Sequence, residues 1–318
     1  VDSDSGSVFV VPGAGFGEIY LDTASTALTG TSEQDHAGES VVVLEDMNGD
    51  GFGEVLLGAP RQDSSGTDAG MAYLLYGPFT SDRSLSGADA LLYGEDEGDL
   101  AGSSVGAAGD VDGDGVPDLL IGAEDEDSAE EEGGAGYLFL GPVSGSISMG
   151  DANGKFRAEE ATDHLGVALT GVGDTNDDGY DDMLIGAVGQ DEAGNDAGAA
   201  YLVLGDTTRI WSNLSLRMSA ADAKLLGDEA GVGAGQGLHG PGDLDGDGDL
   251  EIVVGTGQTA GSDIAGYGLL YALDHTGELL DGFPIPIFAG FAGALPYIGE
   301  GVVMSPALVD MDGTATWR

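Results

Sequence analysis

Four short stretches of this chain set carboxylates at a spacing suited to a hard cation. Between Asp110 and Asp118, the acids Asp110, Asp112, Asp114 and Asp118 stand at places 1, 3, 5 and 9. Gly115 supplies the turn at place 6, and the backbone carbonyl of Val116 falls at place 7. The arrangement recurs as Asp46, Asn48, Asp50, Phe52 and Glu54, and again as Asp174, Asn176, Asp178, Tyr180 and Asp182. A fourth copy is Asp243, Asp245, Asp247, Asp249 and Glu251. Calcium takes about six to eight oxygen ligands at roughly 2.3–2.6 Å, which alternate side chains on a tight loop can supply. Metal-free acidic turns are the plain alternative, but three or four converging carboxylates would repel one another. The chain is therefore expected to hold about four Ca²⁺ ions.

Spacing excludes the helix–loop–helix calcium site. That loop closes on a bidentate acid at place 12; here place 12 is Leu57, Ile121, Ile185 or Val254. The closing acid sits instead at place 9 and leads into a short apolar run, as in Leu119–Ile121, that reads as a buried strand. A cation loop between two strands is the predicted local structure.

These loops keep a period. The first three begin at Asp46, Asp110 and Asp174, 64 residues apart each time. Gly38, Gly102 and Gly166 precede them by eight residues, and Gly58-Ala59, Gly122-Ala123 and Gly186-Ala187 follow them. A third strand is marked by Phe9, Tyr73, Tyr137 and Tyr201, and a weaker fourth run ends near Leu91 to Gly94. Four short strands per unit, each unit burying its face against its neighbours, is the logic of an all-β propeller of four-stranded blades. The predicted blades span about 36–98, 99–162, 163–229 and 230–299, with a junction blade shared by 300–318 and 1–35. The register loosens between Thr207 and Gly227, so the fourth loop follows the third by 69 residues. A fifth loop opens with Asp310, Asp312 and Gly313 but carries Thr314 at place 5 and Arg318 at place 9, so it is not expected to bind strongly.

The stretch LAGSSVGAAGDVDGDGVPDLLIGA, from Leu100 to Ala123, resembles the FG-GAP repeat of integrin α-subunit propellers and their bacterial relatives. His164 to Ala187 and His36 to Pro60 are similar to it, although Ala37, Ala101, Leu165 and Ala234 replace the Phe of the Phe-Gly pair. The resemblance implies a calcium-stabilised, extracellular or cell-surface propeller for adhesion, ligand binding or surface assembly. Its partners would be proteins, glycans or copies of itself. A minority of such relatives accompany hydrolase domains, so a secreted hydrolase's propeller or a sugar-binding lectin is the second reading.

Composition narrows the classes further. The chain has 318 residues, 59 of them Gly, and a net charge of −50, which disfavours nucleic acid and anionic membranes as partners. Cysteine is absent, so no disulfide or thiol chemistry operates. Val1 is not an initiator Met, and a processed or partial chain is expected. The uncharged run Gly282 to Gly299 is interrupted by Pro284, Pro286 and Pro296 and reads as no membrane span. Its apolar residues, Phe283, Ile285, Ile287, Phe288, Phe291, Leu295 and Tyr297, form either a blade core or a contact patch.

No catalytic constellation stands out. Gly102-Ser103-Ser104-Val105-Gly106 matches a nucleophile elbow, yet its counterpart Gly38 to Val42 is a repeat strand. The four histidines, His36, His164, His239 and His275, are expected on loops. The ring itself is expected to close by sharing one blade between the chain ends. A neighbouring molecule donating a missing strand there would build an oligomer or filament.

Overall fold

The computed structural model describes residues 5–11, 26–127, 132–206, 211–257, 268–274 and 277–287. The described residues are all-β, broken only by three single-turn 3₁₀ segments. No helix among them is long and apolar enough to cross a membrane.

The strands follow the repeat. A first antiparallel pair is β1 (Ser7–Val10) and β2 (Thr26–Thr29). The next unit holds β3 (Val41–Leu44), β4 (Glu54–Ala59), β5 (Met71–Leu75), β6 (Arg83–Ser84) and β7 (Ala90–Tyr93). Then come β8 (Ser104–Gly109), β9 (Asp118–Ala123), β10 (Ala135–Phe139), β11 (Gly145–Ser148) and β12 (Gly154–Arg157). The third unit has β13 (Leu165–Gly173), β14 (Asp182–Ala187), β15 (Ala199–Val203), β16 (Leu214–Arg217) and β17 (Ala223–Leu226). The fourth has β18 (Ala234–Gly242), β19 (Glu251–Thr256), β20 (Gly268–Leu273) and β21 (Ile285–Ile287).

Four strands of each complete unit make one antiparallel sheet, and the first strands β3, β8, β13 and β18 pack side by side. The sheets are propeller blades. The second strand of every blade is buried along its whole length, which is why its apolar run is continuous rather than alternating. At the close of that run a Cβ on Gly58, Gly122 or Gly186 would stand 1.9, 2.1 or 2.0 Å from the carbonyl oxygen of Gly102, Gly166 or Gly235 in the next blade. The repeated Gly-Ala is thus the point where adjacent blades touch backbone to backbone. The replaced Phe position lies at the same seam: Gly6, Gly70, Gly134 and Gly198 bridge Ala37, Ala101, Leu165 and Ala234, all buried.

The blades also carry a strand that the repeat did not announce. β6, β11 and β16 run parallel to β2, β7 and β12, so the link between third and fourth strands of one blade adds an outer strand to the blade before it. A 3₁₀ turn follows each and buries Leu85, Met149 or Met218 in the seam. The loosened register is one insertion in the third of these links, between β15 and β17, where Trp211 is buried.

Both lysines of the chain close such seams. Lys155 Nζ lies 2.6 Å from Glu95 Oε1 and 3.0 Å from Glu126 Oε1, and 5.2 Å from the Tyr137 ring centroid. Lys224 Nζ repeats this with Glu159 at 3.1 Å, Glu192 at 2.7 Å and Tyr201 at 5.3 Å. Burial disfavours each ammonium, but hydrogen bonds to the paired carboxylates outweigh it and raise both pKa values.

The structure corrects one expectation about the histidines. His239 is not on a loop but within β18, opposite Val253, and desolvation lowers its pKa. His36 and His164 do lie outside strands, beside Glu39 and Asp125, and His275 falls outside the described residues. So do the fifth loop, with Asp310 and Asp312, and the side chains of the apolar run beyond Ile285. Phe283 is half-buried and Ile285 is exposed.

Candidate metal centres

The four acidic loops all join the first and second strands of a blade. In the second, both oxygens of Asp110 turn inward: Oδ1 accepts from Gly113 N at 2.8 Å and Asp114 N at 3.0 Å, and Oδ2 from Gly115 N at 2.8 Å. Asp112 Oδ1 accepts from Asp114 N at 3.2 Å, and Asp114 Oδ1 from Val116 N at 2.8 Å. The loop's own amides thus curl the chain around its acids, each of which keeps lone pairs for a cation. Gly115 has φ +85°, a left-handed conformation that glycine adopts freely.

The first and third loops repeat these bonds. Asp46 accepts from Gly49, Asp50 and Gly51, Asn48 from Asp50, and Asp50 from Phe52. Asp174 accepts from Asp178 and Gly179, Asn176 from Asp178, and Asp178 from Tyr180. In the fourth, Asp243 accepts from Gly246, Asp245 from Asp247, and Asp247 from Asp249.

The closing acid has a second task. Asp118 is 1% exposed; its Oδ2 accepts from Val111 N at 3.0 Å and its Oδ1 from Gly141 N at 2.8 Å. Glu54 joins Met47 N to Gly77 N, and Asp182 joins Thr175 N to Gly205 N, both in the same way. The Thr175 hydroxyl also donates to Asp182. Glu251 accepts from Leu244 N through Oε2, while its buried Oε1 has no partner among the described residues. Gly77, Gly141 and Gly205 follow the third strand, and sequence reasoning assigned them no part in the loops. Their constant step of 23 residues from the closing acid was the available signal.

Electrostatics agree with a cationic occupant. Carboxylate oxygens of Asp110, Asp112 and Asp118 converge within 4.8 Å, as do those of Asp243, Asp245 and Glu251. Burial, with the charges of Asp112 and Asp110 added, pushes Asp118 up to about 7. Burial also raises Glu54, Asp182 and Glu251, and burial plus Asp114 raises Asp112. Groups so arranged gain most from a nearby positive charge. The orphaned Glu251 Oε1 and the all-oxygen donor set fit calcium.

Residues 37–75 and 101–139 match the model of the FG-GAP repeat. The chain carries FG-GAP repeats. Over 157 residues it is 30% identical to integrin alpha-5 of Xenopus laevis, covering 47% of this chain and 14% of that protein. It is 31% identical to human integrin alpha-IIb over 172 residues, which is 52% of this chain and 16% of the relative. Bovine phosphatidylinositol-glycan-specific phospholipase D is 30% identical over 204 residues, 61% of this chain and 24% of that protein. The chain thus spans about a quarter or less of the length of these curated relatives. Within the FG-GAP repeats, the decoy serine is structural: Ser104 Oγ donates to Gly166 O at 2.5 Å, as Ser40 Oγ donates to Gly102 O at 2.8 Å.

Proposed function

We propose that this FG-GAP propeller is a non-enzymatic, extracellular module stiffened by about four calcium ions, presenting its surface to proteins or glycans. The observation that carries the metal reading is the convergence of Asp110, Asp112 and Asp118 within 4.8 Å around a buried closing acid. Asp110, Asp112, Asp114, the carbonyl of Val116 and Asp118 would hold one ion, with the corresponding residues of the other three loops holding the rest. Calcium there would neutralise the converging acids and pin the loop to the third strand. Metal affinity of the extracellular kind is roughly 0.1–1 mM. The surface setting follows that need, and the integrin relatives support it.

Catalysis is the less favoured reading, prompted by the phospholipase D relative. Among the described residues, the buried carboxylates outside the loops follow the repeat as Asp35, Asp99 and Asp163, with Glu126 beside Asp99, rather than gathering in one pocket. Five blades, with the chain ends sharing the fifth, and self-assembly through that junction remain our reading of the repeat. Calorimetric titration of chelated protein tests the metal assignment: heat for about four sites, lost stepwise on Asp→Ala substitution at place 1, is expected. No calcium heat would overturn it.

A further inference from the structure

Three seams between blades are closed alike, and the fourth is not. β2, β7 and β12 are each covered by a parallel strand from the following blade, and Leu85, Met149 and Met218 plug the seams beside them. Under that cover the third residue of the outer strand, Leu28, Leu92 or Phe156, is 0% exposed. β17 is the outer strand of the third blade, and its sheet ends there among the described residues. The corresponding link of the fourth blade folds back on its own strand, with Leu279 bridging Leu273 and Leu280 N donating to Ala272 O at 3.0 Å. Leu225, at the place of Leu92 and Phe156, is accordingly only half-buried, and Leu226 is 40% exposed. Beside this edge lies a cavity of about 250 Å³ lined by Leu225, Leu226, Ala234, Val254, Tyr271 and Leu273.

We propose that the β17 edge is a docking site for an extended, basic segment of another protein, added parallel to β17. A free sheet edge offers unpaired backbone groups to an incoming strand, and an adjacent pocket selects its side chains. The three closed seams define the chemistry of the occupant: a short strand followed within a turn by a large apolar side chain. The closest internal guide is β16, whose Arg217 stands opposite Arg157 and donates to the Glu159 carbonyl. At the β17 edge the place of Glu159 is taken by Asp228, followed by Glu229. Both are exposed and neither forms an ion pair among the described residues. Lys or Arg at the fourth position of the guest strand would face these acids. At this edge the exposed acids Asp228 and Glu229 favour a basic guest over the acidic surface of a second copy. The site stands apart from the acidic loops and does not depend on their metal.

The probe is a fluorescein-labelled peptide with the sequence of Trp211–Ala221, the segment that closes the preceding seam, added to the full chain in calcium. Saturable anisotropy is expected. Leu226→Glu or Asp228→Lys, both at exposed positions, should weaken it at least tenfold with an unchanged melting temperature. The peptide altered by Arg217→Glu should regain affinity for the Asp228→Lys protein. Absence of saturable binding, or binding unmoved by both substitutions, overturns the proposal. Self-association that the peptide displaces, seen by sedimentation, overturns it too by assigning the edge to a second copy.

Discussion

Asp118 Oδ1 accepts a hydrogen bond from Gly141 N at 2.8 Å, joining the last acid of an acidic loop to the exit of the third strand. A cation at that loop would therefore be felt beyond the loop itself. Because the acids converge only in the folded chain, calcium should stabilise by mass action, about 3–4 kcal/mol per site at a hundred to a thousand times Kd. Chelation should lower the melting temperature sharply, with poor rescue by magnesium. A melting curve unmoved by chelator would refute this.

The same carboxyl sets a pH dependence. Its pKa is raised to about 7 in the folded, metal-free chain, above the usual carboxylate value. Folded protein then holds a proton that unfolded protein has lost, so stability without metal falls as pH rises from about 4 to 7. Calcium requires the ionised form. The melting-temperature gain from calcium should accordingly grow between pH 5 and 8, and a gain independent of pH would count against the assignment.

Asp99 offers a metal-independent control. Burial pushes it up to about 6, and it caps a turn by accepting from Asp96 N at 2.9 Å. Asp99→Asn keeps an acceptor and removes the buried charge. It should stabilise by about 2–3 kcal/mol at pH 8 and by little at pH 4, from the shift of roughly two units. Urea titration at both values checks the sign.

Seam glycines should divide cleanly from loop glycines. Gly122→Ala would force a Cβ to within 2.1 Å of the Gly166 carbonyl, whereas Gly87 has nothing within 4 Å of that position. The first is expected to cost about 3 kcal/mol or more by overpacking, the second almost nothing. Comparable denaturation midpoints for the two would show that adjacent blades yield more than their backbones suggest.

Removing Lys155 should be costlier than removing Lys224. Lys155→Met takes the ammonium from Glu126, whose side chain is 2% exposed, while Glu192, which shares Lys224 with Glu159, is 58% exposed and can turn to water. A loss of about 2–3 kcal/mol is expected for the first, and half that for the second. Equal losses in thermal unfolding would contradict the burial argument.

The acidic loops and the strands flanking them were legible because each unit repeats the same short-range grammar. Acid spacing, Gly turn and apolar run are all local, and the 64-residue step multiplies a weak signal. β6, β11 and β16 escaped because their partners lie in a different blade and their sequences, Arg-Ser, Gly-Ser-Ile-Ser and Leu-Ser-Leu-Arg, share no pattern. An edge strand needs backbone more than side chains, so little is written in its residues. The bonds from Glu54, Asp118 and Asp182 to Gly77, Gly141 and Gly205 were hidden for another reason: the donor is an amide, which any residue but proline supplies.

The caged lysines have a practical corollary. Lys155 and Lys224 are the chain's only lysines, and their side chains are 18% and 20% exposed. Acylating reagents attack the neutral amine, which the surrounding carboxylates suppress. Labelling of these two side chains should consequently be slow in the native fold and fast once a seam parts. Peptide mapping by mass spectrometry would then time the opening of each seam separately, with two built-in reporters and no introduced probe.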